Sequence, residues 1–224
     1  MKRVAIVGDI HGNLPTCRRI LQHIEDNPVD LILLVGDTSM HVPYRDRMDT
    51  ELLGKSCVAV ADLMSTSGIP VRWVPGNHDP REVQDARNVD GRLDAVAGLR
   101  VFGIGGAPGR FGFPYEWEED EVEAIEVPVC DILLCHSPPY GGRLDRVARG
   151  GKHVGSTALL HKAIAHTGLY CCGHIHESRG AERKGDSLWV NAGALGQPYK
   201  WAGYAVATLD EGRWSAKFID LDFI

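Results

Sequence analysis

Five short clusters along 224 residues carry the side chains that bind metal: Gly8-Asp9-Ile10-His11-Gly12, Gly36-Asp37, Gly76-Asn77-His78-Asp79, His136 after Leu133-Leu134-Cys135, and Gly173-His174-Ile175-His176. Each follows an apolar run and reads as the carboxyl end of a strand, where α/β sheets assemble their sites. Taken singly, each has an ordinary reading. A strand-end aspartate satisfies turn hydrogen bonds, Asn77-His78-Asp79 makes an unremarkable turn, and His136 is by default a hydrogen-bonded core residue. In this order the five supply a complete ligand set for two adjacent divalent ions.

Two ions about 3.5–4 Å apart repel one another unless an anion bridges them, and Asp37, at the end of the second strand, is the expected bridge. Asp9 and His11, two apart on one side of an extended turn, suit one ion together with His176. Asn77, His136 and His174 remain for the second. Imidazole, carboxylate and one amide suit Mn, Fe, Zn, Co or Ni better than calcium, with manganese favoured. Two aspartates against two divalent cations leave the site positive, so it should draw a phosphate. Water there should titrate near neutrality and attack phosphorus in line. His78, beside Asn77 but not needed as a ligand, is the expected general acid for the leaving oxygen.

The series Asp9-x-His11, Gly36-Asp37, Gly76-Asn77-His78-Asp79, Cys135-His136 and Gly173-His174-x-His176 resembles the calcineurin-like metallophosphoesterase superfamily, from Asp9 to His176. The resemblance implies an α/β fold, a four-layer α/β/β/α sandwich of two mixed sheets flanked by helices. It also implies a dinuclear site that hydrolyses phosphomonoesters or phosphodiesters. The small size, His136-Ser137-Pro138-Pro139 and Gly173-His174-Ile175-His176-Glu177 look closest to compact phosphodiesterase members. One departure stands out. Many members read Gly-Asp-x-x-Asp, the last aspartate orienting the histidine that corresponds to His78, whereas this chain reads Gly36-Asp37-Thr38-Ser39-Met40. That counts against protein-phosphatase activity and leaves Asp79 or another group to orient His78. Two rivals are a non-catalytic metal-binding scaffold of the same fold, which the presence of His78 beside seven ligands disfavours, and a nuclease.

The elements that must position these residues follow from periodicity. Strands are expected over 3–8, 30–36, 70–75, 99–105, 129–135 and 169–172, and helices over 14–26, 50–67 and from Ser156 to His166. The continuously apolar strands suit a sheet covered on both faces. Segments 187–190, 203–209 and 214–220 are expected to alternate as antiparallel strands completing a second sheet. The acidic run 116–126 reads as a solvated face. Loops over 39–49, 105–119 and 137–155 are where substrate specificity should lie. Arg143, Lys152 and His153, on the last of these, are the candidate phosphate contacts. Phe113, Tyr115 and Trp117 either wall a cleft or pack, Asn191 supports a turn, and His41, His161 and His166 read as surface or helix residues.

Composition sets the remaining bounds. The length suits one domain over 1–224. A formal net charge of −6 without a basic run argues against general affinity for DNA, RNA or anionic membranes, so the expected partner is a small phosphorylated substrate. The six cysteines show no C-x-x-C spacing and read as reduced, buried thiols. The run Val4-Ala5-Ile6-Val7 is too short for a signal-peptide core, and no stretch approaches the ~20 apolar residues of a membrane span. A soluble, cytoplasmic protein is expected, with a homodimer suggested by analogy alone.

Overall fold

Apolar, β-branched runs become buried strands, and the amphipathic segments between them become the helices that cover those strands. The computed structural model describes residues 1–43, 46, 48–166, 168–195 and 202–221. β1 (Lys2–Val7), β2 (Leu31–Leu34) and β3 (Val71–Trp73) run parallel, joined by α1 (Leu14–Asp26) and α2 (Thr50–Ser65). Asn13 caps α1 by accepting the Thr16 N–H at 3.2 Å, and Asp49 caps α2 by accepting that of Leu52 at 2.9 Å, so each helix start has a side-chain acceptor for a free donor. Ile20, Leu21 and Ile24 of α1 are buried, as their spacing predicts.

There follow β4 (Leu93–Val96), β5 (Leu99–Ile104), β6 (Ala107–Pro108), β7 (Glu116–Trp117), α3 (Glu119–Glu123) and β8 (Ile132–Cys135). Then come α4 (Thr157–Ala165), β9 (Leu169–Cys172), a 3₁₀ turn over His176–Ser178, β10 (Gly180–Lys184), β11 (Ser187–Asn191), β12 (Gly203–Asp210) and β13 (Arg213–Asp220). Two large mixed sheets result, in the orders β13-β12-β1-β2-β3 and β10-β11-β9-β8-β5-β4. One core fills the space between them, with Ile6, Leu33, Leu134 and Cys171 at its centre. A second packs α1 and α2 on the outer face of the first sheet, and a third packs α4 on that of the second. This is the expected four-layer sandwich.

One expectation is corrected. Of the three C-terminal segments only β11 joins the second sheet, parallel to β9. The β12–β13 hairpin instead docks antiparallel along β1, pairing Ala5 with Val206. Burial explains the choice. Ala205 and Ala207 face the inter-sheet core while Tyr204 and Val206 face the helices, so β12 needs a covered position on both sides. Local periodicity cannot say which sheet edge a strand will meet, and β11, buried at all five positions, does not alternate at all.

The acidic run is a largely solvated face, as expected, and some of its acids also organise neighbouring backbone. Glu116 accepts the N–H groups of Phe111, Gly112 and Phe113 at 3.0, 2.7 and 3.0 Å. Glu118 and Glu121 form a capping box on α3. Glu119 accepts Ser156 Oγ, Thr157 Oγ1 and Ala158 N, placing a carboxylate at the amino end of α4. Among the described residues, no helix is long and apolar enough to cross a membrane. All six cysteines are free and buried. Residues 44, 45 and 47 of the expected 39–49 specificity loop lie outside the described residues.

Candidate metal centre

Every cluster sits just beyond a strand. β1, β2 and β3 lead to Asp9, Asp37 and Asn77 from one sheet, while β8 and β9 lead to His136 and His174 from the other. Three of the seven predicted ligands and their loops are held in unusual backbone states: His11, Asp37 and His174 have φ of 47°, 46° and 62°. Left-handed non-glycine residues cost energy and concentrate at functional sites. Gly76 shows how tightly the loops meet, since a Cβ there would stand 2.1 Å from Asp37 Oδ1.

All seven predicted ligands converge. Asp9 Oδ1 is 3.6 Å from His136 Nδ1, and its Oδ2 is 3.7 Å from His176 Nε2. Asp37 Oδ2 is 3.7 Å from His11 Nε2, and its Oδ1 is 3.6 Å from His136 Nε2. Asn77 Oδ1 stands 3.0 Å from His136 Nε2 and 3.1 Å from His174 Nδ1. Two ligand groups form, His11–Asp37–His176 and Asp9–Asp37–His136, with Asp37 common to both. Asp9 neighbours His176 as well as His136, so it too stands between the groups.

The donor set fits divalent ions on this geometry. Separations of 3.6–3.7 Å exceed a hydrogen bond, yet ligands each about 2.1 Å from one ion stand roughly 3–3.5 Å apart. His136 Nδ1 donates to the Val35 carbonyl at 2.8 Å, which leaves the Nε2 lone pair facing two oxygens and calls for a cation between them. Asp9 Oδ1 and both ring nitrogens of His11 are buried without a hydrogen-bond partner. Burial pushes the Asp9 carboxyl well above its usual range, and Asp37 adds to that. Burial would raise Asp37 as well, but His136, His11 and His78 hold it below the usual range. Burial lowers His11 and His174 to about 3 and depresses His176, keeping these imidazoles neutral with lone pairs to offer.

His78 lies outside the ligand groups at the edge of the centre. Its backbone N–H donates to Asp37 Oδ1 at 2.9 Å, and its Nε2 is 4.0 Å from Asp37 Oδ2. Its ring lies 4.3 Å from that of Phe113 at 47°. Asp79 does not face this ring. It accepts Thr38 N, Thr38 Oγ1, Ser39 N and Gly76 N, pinning two ligand loops together. Asn191 does likewise for a third loop: its Nδ2 donates to the carbonyls of Leu144, Gly173 and Ile175, each at 3.1 Å.

A cleft of about 300 Å³ opens over the centre, walled by Pro108, Phe111, Phe113, Glu116 and Glu177. Arg143, Lys152 and His153 are not among its lining residues. Arg143 donates its N–H to Glu182 Oε2 at 3.0 Å with its guanidinium beside Gly180, Lys152 is exposed, and His153 Nδ1 stands 2.7 Å from the buried carboxylate of Asp145. The 137–155 loop is thus folded on its own buried acid rather than on the centre. His41, read from the sequence as a surface residue, stacks on His11 at 4.2 Å and 11°. Its one sequence signal was its place directly after Met40, where the expected acid is missing. Nothing in the acidic run marked Glu116 as the organiser of the cleft wall.

A family model for calcineurin-like phosphoesterases matches residues 2–178. An uncharacterized protein of Methanocaldococcus jannaschii is 29% identical over 209 residues, spanning 85% of this chain and 88% of that protein. A dimetal phosphatase of Danio rerio superposes with a TM-score of 0.65 at 11% identity, covering 97% of this chain and 95% of that one. The protein TT1561 of Thermus thermophilus gives 0.64 at 18% identity, with 96% and 98% covered. An archaeal phosphodiesterase gives 0.51 at 14%, with 97% and 99% covered. At these identities the structural likenesses show the fold.

Proposed function

The chain belongs to the calcineurin-like phosphoesterase family, and from that premise we propose that it is a dinuclear metal-dependent hydrolase of phosphodiesters or small phosphate esters. The observation that carries this reading is Asp37 shared by two ligand groups with His78 beside them and outside both. Asp9, His11, Asp37 and His176 would hold one ion, and Asp37, Asn77, His136 and His174 the other. The likeness of fold to a dimetal phosphatase is consistent with two ions. When bound, the ions supply Lewis acidity and lower the pKa of water at the site.

The rest is the work of side chains. The neutral imidazoles and Asp9 fix the ligand geometry, and the buried floor of the cleft excludes bulk water. In hydrolysis a water oxygen forms the new bond to phosphorus as the bond to the leaving oxygen breaks. His78 Nε2 delivers the proton that the leaving oxygen needs. Without an acid at Met40, Phe113 packing orients its ring, and the Asp37 carboxylate fixes its backbone by accepting the His78 N–H. The substrate is a small phosphorylated molecule, and manganese is the ion we favour.

Bis-p-nitrophenyl phosphate and p-nitrophenyl phosphate separate the finer possibilities after chelation and readdition of Mn, Ni, Co, Zn or Mg. Metal-restored turnover favouring the diester is expected. Two bound ions with no turnover of either ester would point instead to the scaffold reading.

A further inference from the structure

Behind His78 lies a second hollow, of about 250 Å³, walled by Met40, His41, Val42, Leu53, Phe113 and Pro114. His78 and Phe113 line this hollow and the metal-side cleft alike, so the two spaces meet at those rings. The proton donor therefore stands at a boundary, with ligand side chains on one side and apolar walls on the other. The group carried by the leaving oxygen must extend past the donor that protonates it. We propose that this hollow is the leaving-group subsite and that it takes a planar aromatic group of one or two rings. The proposal rests on the hydrolase reading above.

Three observations set the class of group. The first is charge. Among the described residues, no carboxylate, ammonium or guanidinium lines the hollow; the polar side chains among its described walls are the two imidazoles, His41 and His78. An ionised leaving group would lose hydration there without gaining a partner. The second is shape. His78 and Phe113 meet at 4.3 Å and 47°, and His41 stands edge-on to His78 at 6.2 Å. Walls made of ring faces and edges match a flat arene. The third is size, since complete ligand sites run from about 300 Å³ upward, and this hollow holds a fragment whose phosphate remains in the adjoining cleft.

The walls are also fixed in place. Glu116 gathers three consecutive N–H groups of the segment that carries Phe113. Tyr115 N–H donates to the Asn77 carbonyl at 3.2 Å, tying that segment to the residue before His78. Leu53 comes from the buried face of α2. Met40 gives the missing acid a second consequence: where an aspartate would put charge beside the histidine, this chain puts a thioether in the wall.

The test compares 2-naphthyl and phenyl phosphates, whose leaving phenols differ little in acidity, by kcat/KM with the metal-loaded protein. Wild type should favour the naphthyl ester by about tenfold, the rate equivalent of partly burying one more ring. Val42→Trp, which fills the hollow, and Met40→Glu, which charges an exposed part of its wall, should each bring that ratio to near one. Free 2-naphthol, followed by its own fluorescence, should bind saturably to wild type and not to Val42→Trp. A ratio that is near one in wild type, or unchanged in both variants, overturns the subsite while leaving the hydrolase intact. No turnover of either ester or of bis-p-nitrophenyl phosphate with any ion overturns the hydrolase reading and the leaving-group assignment with it. Turnover of the diester alone leaves the hydrolase intact, and the same ratio read on the bis-naphthyl and bis-phenyl esters then decides the subsite.

Discussion

At His78 an aromatic ring packs on the imidazole, while the position of the expected carboxylate partner holds Met40. Phe113 packs at 4.3 Å, and the nearest Asp37 oxygen is 4.0 Å from Nε2, beyond hydrogen-bond reach. The imidazole is thus positioned mainly by packing. His78→Ala should lower kcat by about 10²–10³-fold, the usual worth of a general acid, with metal content by elemental analysis unchanged. Loss of metal in that variant would make His78 a ligand. Asp37→Asn should lose tight binding at both positions together, and titration showing two ions held as before would remove the bridge. The convergence of these side chains was legible because aspartate, asparagine and histidine at strand ends are chemically distinctive before any fold is known. His41 was not, because a ring that stacks on His11 carries no local mark of doing so.

Among the elements, α3 and α4 are joined by two acids of α3: Glu123, which faces His161 Nδ1 at 3.1 Å and accepts Lys162 Nζ through its carbonyl at 2.7 Å, and Glu119. Glu119 accepts two hydroxyls and one N–H at the start of α4, where the helix dipole is positive. Glu119→Ala should cost about 1–2 kcal/mol in urea unfolding, and a change below about 0.3 kcal/mol would show that water replaces it. The same helix could be drawn from the sequence, down to its Ser156 cap, because a cap is a local signal. The partner acid, 37 residues earlier, could not. The C-terminal hairpin makes the same point on a larger scale. Its strands were legible, yet its docking on β1 depends on which faces are covered, and that is settled only when both sheets exist.

Taken as a whole, the molecule packs two sheets face to face and gathers buried, neutral histidines at one end of that seam. Between pH 6.5 and about 3, His11 and His174 accept protons in the unfolded chain that the metal-free fold refuses. Stability should therefore fall with pH across this window, by about 1.4 kcal/mol per unit for each such histidine. His176, also lowered, adds to the effect. Asp9, raised by burial, works in the opposite direction but is a single group. Chelated protein should melt about 5 °C or more lower at pH 5.5 than at 7.5. Restored ions should narrow the gap, since metal binding favours the folded state, and an equal or higher melting point at pH 5.5 would contradict the assignment. The place of β12 beside β1 also governs how the chain matures. In its sheet β1 lies between β2 and β12, a strand synthesised roughly 200 residues later. Until then one edge of β1 is open to pairing with other chains, and the turn carrying Asp9 and His11 hangs from a half-built sheet. Metal capture should thus wait until β12 has docked, although His176, the last of the proposed ligands, is made well before.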